Sequence, residues 1–313
     1  MNSSPVSRRR FLRQAATTMA VAGAVPLALH QKTLLEAADP PAFRLRWILG
    51  SLMYGRLPLE TILPEVKKTG AEFIDLWPPV HGDQRKAIDE WGEEMFLKRL
   101  KEQGVKFGMT TRYDMPLTEI EPELRLIKRL DGKLLVVGPG GRKNLEGAEL
   151  KSAAGKLVES LKPAVAVAEE TGIGIAVENH SSQLLDSVDG VRYFAELSPS
   201  NKLGIALAPY HLPQDAVMLG KLIEELGPKL LHFYAWQHGN GCMKPMPKDE
   251  ELLQLPGRGP LDFKPMLAAL KKIDYRGWTE IFMHTTPRGK PILDTVAEVT
   301  DVINQSRLFL EKS

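Results

Sequence analysis

Glu178 ends the apolar run Ile175-Ala176-Val177 and is followed by Asn179 and His180. A carboxylate at the end of an apolar segment needs a partner or a task. One reading is a salt bridge to an arginine at a rim; the other is work as a general base or a metal ligand. Imidazoles, whose charge changes near neutral pH, recur in comparable places. Six of the seven histidines lie in or just after a β-rich run, among them His180, His211, His232, His238 and His284. Glu178, His211 and His284 are therefore the candidate catalytic groups. In that scheme Glu178 takes a proton from the carbon beside a carbonyl, and His211 or His284 shuttles the second proton. Asn179 and His180 can orient Glu178 or bind substrate hydroxyls. Tyr234 and Trp236 can stack on a sugar face, although aromatic residues also simply fill cores. Arg112 is a candidate for a substrate carboxylate or phosphate, set against ordinary surface charge. The competing role for His211 is helix capping near Asp215, and His232 reads as a core histidine whose natural partner is Glu280. Cys242 lies in the long segment 236–256, which is long enough to act as a lid. No neighbour in sequence activates its thiol.

These residues need a frame that brings distant segments together. Runs rich in β-branched and apolar residues fall at 47–52, 73–77, 106–110, 134–137, 174–178, 203–207, 230–235 and 279–283. Amphipathic stretches alternate with them at 59–68, 93–103, 119–130, 149–170, 188–197, 216–226, 264–272 and 295–310. Gly70, Gly104, Gly132, Gly172 and Gly227 each close a helix shortly before the next strand. Eight β/α units predict a single α/β domain, a (β/α)8 TIM barrel over 44–313, with its chemistry at the C-terminal strand ends. A doubly wound open sheet is the rival, but Gly50-Ser51-Leu52-Met53-Tyr54-Gly55 does not match the phosphate-loop fingerprint expected after its first strand. Gly138-Pro139-Gly140-Gly141-Arg142 can approach a phosphate or serve as plain turn chemistry.

Several segments resemble the xylose isomerase-like barrels, the sugar isomerase/epimerase and AP-endonuclease-2-like superfamily. They are Gly174-Ile175-Ala176-Val177-Glu178-Asn179-His180, then Leu203-Gly204-Ile205-Ala206-Leu207-Ala208-Pro209-Tyr210-His211, then Pro256-Gly257-Arg258-Gly259-Pro260-Leu261-Asp262-Phe263 with Tyr275-Arg276-Gly277-Trp278. The resemblance implies a divalent metal held by a strand-five Glu, a strand-six Asp, a strand-seven His and a strand-eight Glu. Glu178 matches the first. Ala208, Tyr234 and Phe282 stand at the other three. Alanine and phenylalanine cannot coordinate, and neutral tyrosine is a poor ligand for Mg or Mn. The usual metal site is thus expected to be largely lost, no metal ligand is assigned, and the cofactor stays open. A shifted site of Glu178, His211 and His284 is the alternative for zinc, as is Glu280 in place of His284 at the strand-eight height.

The N-terminal segment over 1–43 reads as a targeting signal with its linker. Arg8-Arg9-Arg10-Phe11-Leu12 precedes an Ala-rich, weakly apolar run, which resembles a twin-arginine export signal and implies a periplasmic protein. Contact with a membrane would come only through that signal, if uncleaved. The formal net charge is +2, and the segment 1–30 contributes four arginines and no acid, leaving 2 − 4 = −2 for the rest. That balance argues against a nucleic-acid partner and, with the altered metal positions, against a nuclease. A single cysteine rules out an internal disulfide. A small carbohydrate-like molecule is the expected partner, and the oligomeric state stays open. The expected function is an exported sugar isomerase or epimerase, or a lyase, working by proton abstraction next to a carbonyl. The alternative is a non-catalytic carbohydrate-binding barrel descended from such an enzyme.

Overall fold

The computed structural model describes residues 43–313; the twin-arginine signal expected ahead of them lies outside the described residues. Eight strands run β1 Arg46–Gly50, β2 Phe73–Leu76, β3 Lys106–Thr111, β4 Leu134–Val137, β5 Gly174–Glu178, β6 Leu203–Leu207, β7 Leu230–Ala235 and β8 Trp278–Ile281. Each pairs in parallel with the next, and β8 pairs with β1, closing a barrel in sequence order. The α-helices among them are α1 Leu59–Ile62, α2 Lys86–Trp91, α3 Glu93–Glu102, α4 Glu121–Arg129, α5 Gly147–Thr171, α6 Val188–Leu197, α7 Ala216–Leu226, α8 Lys248–Glu251, α9 Lys264–Lys272 and α10 Val296–Lys312. The expected (β/α)8 barrel is the observed fold.

β4 shows why such strands form: Leu134, Leu135, Val136 and Val137 are all buried, apolar toward both the barrel interior and the helix layer. Four of the eight expected strands, β4 to β7, match to the residue. The helix expected over 59–68 is broken instead. α1 lasts four residues, and Pro64 admits only two short 3-10 turns before Gly70 reverses at φ 81°. After α4 the left-handed residue is Asp131 at φ 59°, not Gly132. Gly132 is needed for room: a Cβ there would lie 2.7 Å from both Ile127 Cγ2 and Phe107 Cε1. Two helices were not expected, α2 and the short α8 inside the segment 236–256.

At the flank of β3 a buried carboxylate organises several cations. Glu123 of α4 accepts from Arg85 through two bonds of 2.8 Å, from Arg112 Nη1 at 2.8 Å and from Thr110 Oγ1 at 2.9 Å. These bonds hold its carboxyl below the usual range against the opposing effect of burial. Among the described residues no helix is long and apolar enough to cross a membrane.

Candidate active site

β5 delivers Glu178 to the C-terminal end of the barrel, where its carboxyl is 3% exposed. One oxygen, Oε1, lies 3.7 Å from His211 Nε2, and the other is buried without a hydrogen-bond partner. Burial pushes the Glu178 carboxyl well above its ordinary range, and the nearby Arg288 charge offsets this only in part. The same burial acts in the opposite sense on His211, whose pKa falls well below 6.5, helped by His180, His284 and Arg288. Burial thus favours the uncharged form of each, a carboxylic acid beside a neutral imidazole, over a carboxylate base with a shuttling imidazolium.

His211 stands in the turn after β6. Its Nδ1 shares a hydrogen bond of 3.1 Å with Ser181 Oγ, where either can donate, and its ring lies 4.0 Å from that of His180 and 5.0 Å from that of Trp236. It does not cap a helix; the Asp215 side chain accepts from Val217 and Met218 N–H and caps α7 itself. His284, beyond β8, packs at 5.5 Å from Trp236 and 6.2 Å from His81. Desolvation lowers His284 and His180 to about 4 and His81 to about 3, so these three imidazoles are neutral near pH 7. The expected catalytic trio thus shares one rim, with Glu178 and His211 in contact and His284 across the Trp236 ring.

The expected substrate contacts divide. His180 lies at the rim beside His211. Asn179 faces the backbone instead: its amide donates to Ala208 O at 3.0 Å and its oxygen accepts from Ala208 N at 2.8 Å, clamping β5 to the end of β6. Arg112 is a correction. It turns to the flank, where Asp114 and Glu123 hold its guanidinium, and it is not offered to a ligand in the mouth. Trp236 stacks at 3.9 Å and 9° on Tyr210, so one of its faces is covered. Tyr234 is 1% exposed and packs against Phe282 at 5.1 Å, below the rim.

His81, Tyr210 and Arg288 were not singled out from sequence. His81 follows β2 as the other rim histidines follow their strands, so the same signal was available for it. Arg288 lies in a loop after β8, where nothing local marks it. The segment 236–256 does fold over the rim, because Gln254 accepts from Trp236 Nε1 at 3.0 Å and donates to His284 O at 3.0 Å. Cys242 within it is buried, and desolvation lifts its thiol to about 11. Directly beside His81 and His284, with Lys290 and Gly289 on its edge, the space is too tight to admit a water molecule. A roomier cavity of about 650 Å3 adjoins the mouth through Tyr113 and runs along Gly138–Arg142 toward Lys156.

Below the rim lies a second polar layer. His232 Nε2 is 3.3 Å from Glu280 Oε2 without hydrogen-bond geometry, and neither residue is exposed. Glu280 is therefore the expected neighbour of His232. Desolvation lowers His232 to about 3 and raises Glu280, so the two meet as neutral groups. Asp75 accepts from Thr111 Oγ1 at 2.7 Å, and burial pushes it up to about 8. Gly50 makes room for this layer, since a Cβ there would stand 2.0 Å from Glu280 Oε1.

The family's divalent metal does not fit these residues. At its four positions stand Glu178, the methyl of Ala208, the buried Tyr234 and the ring of Phe282, which packs on Trp77, Tyr234 and Trp236 at 5.3, 5.1 and 4.5 Å. The shifted trio of Glu178, His211 and His284 does not replace it. Among the described residues no three His, Cys, Asp or Glu side chains converge to hold an ion.

Solved structures with the same fold include D-psicose 3-epimerase in the presence of D-fructose, at 16% identity and TM-score 0.64 over 85% of this chain and 98% of that one. A 3-keto-D-glucoside 4-epimerase from E. coli, in its apo form, gives 17% and 0.63 over 86% and 100%. The IOLI protein with a binding zinc atom gives 14% and 0.61 over 86% and 96%. No curated protein matches the sequence. The family model described as xylose isomerase-like TIM barrel matches residues 63–305, most of the barrel together with the rim just described. The chain therefore belongs to the xylose isomerase-like TIM barrel family.

Proposed function

We propose that this barrel is a sugar isomerase or epimerase that moves a proton at the carbon beside a carbonyl without a divalent metal. The carrying observation is the Glu178–His211 contact of 3.7 Å, with one carboxyl oxygen buried and free. Burial has pushed the two groups to complementary states, the arrangement that marks acid and base assignments. Neutral His211 takes the proton from carbon as Glu178 donates its own to the carbonyl oxygen, giving an enediol and an imidazolium–carboxylate pair. Return of the proton from the His211 imidazolium to carbon, as the Glu178 carboxylate takes back a proton from an enediol hydroxyl, completes the rearrangement and restores both groups. Relatives of the same fold carry names of sugar epimerases, which supports the substrate class. The carbohydrate-binding alternative is weaker, because its platform is already occupied: Tyr210 covers one face of Trp236, and Tyr234 is 1% exposed.

The test is incorporation of deuterium from D2O at carbon across a panel of keto-sugars. Glu178→Gln and His211→Asn each lower the exchange rate about 100- to 10,000-fold, the usual contribution of one acid–base group. An inert parent protein, or variants that exchange at the parent rate, overturns the reading. The Arg8-Arg9 signal is read as placing this chemistry outside the cytoplasm; Arg8→Lys with Arg9→Lys abolishes export if so, and unchanged export removes that part.

A further inference from the structure

The turn after β5 reads His180-Ser181-Ser182, and its hydrogen bonds decide where two imidazoles carry their protons. Ser182 N donates to His180 Nδ1 at 3.2 Å, and the Ser182 hydroxyl lies 2.8 Å from the same nitrogen. A main-chain N–H can only donate, so Nδ1 holds a lone pair and the proton of neutral His180 sits on Nε2. Among the described residues the His180 ring bonds to Ser182 alone, through Nδ1, which leaves the Nε2–H for a ligand. His180 is thus a donor with no basic nitrogen left to offer.

His211 is wired the other way round. Its ring lies against that of His180, with centroids 4.0 Å apart and planes at 37°. The Ser181 hydroxyl occupies Nδ1 at 3.1 Å, so Nε2, 3.7 Å from Glu178 Oε1, is the nitrogen left to meet a substrate. A hydroxyl accepts as readily as it donates. When Ser181 accepts from Nδ1–H, the lone pair of His211 lies at Nε2. Desolvation favours the neutral form of both rings, the form in which a tautomer exists.

Main-chain bonds hold the segment that carries these serines. His180 N donates to Leu185 O at 3.0 Å, Gln183 N to His180 O at 3.0 Å, and Leu184 N to Gly140 O at 2.8 Å. Ala208 O accepts both from the Asn179 amide at 3.0 Å and from His211 N at 3.2 Å, which ties the two imidazole-bearing turns together. Both rings therefore stand on one frame, with Ser181 and Ser182 exposed at its edge.

We propose that this frame sets the two imidazoles in opposite tautomers. Ser182 N fixes His180 as an Nε2–H donor to a substrate oxygen, and Ser181 fixes His211 as Nδ1–H with its basic lone pair at Nε2. The inference rests on the reading of His211 as the base. It makes Ser181 a positioning residue that acts through His211, and it gives His180 the part of steadying charge that builds on a substrate oxygen.

The experiment is long-range proton–nitrogen NMR correlation at neutral pH on the full chain labelled with nitrogen-15 at histidine, which shows the protonated nitrogen of each imidazole. His180→Gln and His211→Asn assign the two signals. Expected are Nε2–H for His180 and Nδ1–H for His211. Ser182→Ala keeps the main-chain N–H and leaves the His180 tautomer as it was. Ser181→Ala, at an exposed position, moves His211 toward Nε2–H and lowers deuterium exchange into a keto-sugar roughly 10- to 100-fold, the usual scale for losing a group that fixes an imidazole. Ser181→Thr keeps both. His180 protonated at Nδ1, His211 protonated at Nε2, or a Ser181→Ala protein with tautomer and rate unchanged overturns the proposal. The two readings fail separately. The expected tautomers in a protein that exchanges nothing keep the wiring and remove the isomerase, whereas exchange by a parent protein whose His211 carries its proton on Nε2 does the reverse.

Discussion

Lowering or raising the pH around neutrality is the perturbation whose effect on this protein can be worked out from the buried groups alone. Five imidazoles, His81, His180, His211, His232 and His284, are lowered from 6.5 chiefly by desolvation. Between pH 4.5 and 6.5 the unfolded chain binds five protons on them that the folded chain does not. Three carboxyls, Asp75, Glu178 and Glu280, are raised chiefly by desolvation and bind three protons in the folded state that the unfolded chain has released. The five shifted imidazoles outnumber the three shifted carboxyls, so stability rises with pH across this window, each excess proton on the unfolded chain being worth about 1.4 kcal/mol per unit. Above pH 6.5 the imidazoles are neutral in both states and drop out. The carboxyl contribution, complete only below the unfolded carboxyl range, goes on being lost as pH climbs. Its slope is about −1.4 kcal/mol per unit for each carboxyl that keeps its folded-state proton, up to about pH 8 for Asp75. The result is a stability maximum close to pH 6.5, with a steep acid side. Denaturant midpoints measured every half unit from pH 4.5 to 8.5 test it. Asp75→Asn, which keeps the shape of the neutral form, should flatten the alkaline side and steepen the acid side by one proton each, moving the maximum slightly upward. A profile flat between pH 5 and 8 refutes the reasoning, because it would mean these groups are hydrated in the folded state.

Three further outcomes follow from particular contacts. Gly50→Ala puts a methyl 2.0 Å from Glu280 Oε1 in an unexposed layer, and overpacking of this kind costs about 1–3 kcal/mol of stability by denaturant titration. Glu123→Ala strands Arg85 and Arg112 in a part-buried site; a loss of about 3–5 kcal/mol is expected, and a loss under 1 kcal/mol would show the cluster to be hydrated. Cys242, buried and lifted to about 11, should react with a thiol reagent at pH 7.5 far more slowly in folded than in urea-unfolded protein, and equal rates would contradict its burial.

The barrel was legible because most strands are largely apolar runs and several helices are closed by a glycine. β4 through β7 were recoverable to the residue for that reason. The helix after β1 was not, since hydrophobic spacing over 59–68 ignores what Pro64 does to the backbone. The site was legible only in part. Glu178, His211 and His284 sit where strand ends put them, but their protonation depends on burial, which spacing does not report; the proposed mechanism accordingly gives Glu178 the part of the acid. Arg112 looked available because sequence does not show Glu123, eleven positions later, folding back onto it.

Proton transfer at carbon is proposed to belong to Glu178 and His211 and to need no divalent ion. The most direct measurement is deuterium incorporation into a keto-sugar substrate by protein dialysed against a strong chelator, with its metal content determined on the same sample. Exchange at an unchanged rate is expected in metal-free protein, and its loss in Glu178→Gln. Exchange that disappears with the metal and returns with added zinc, manganese or magnesium would contradict it.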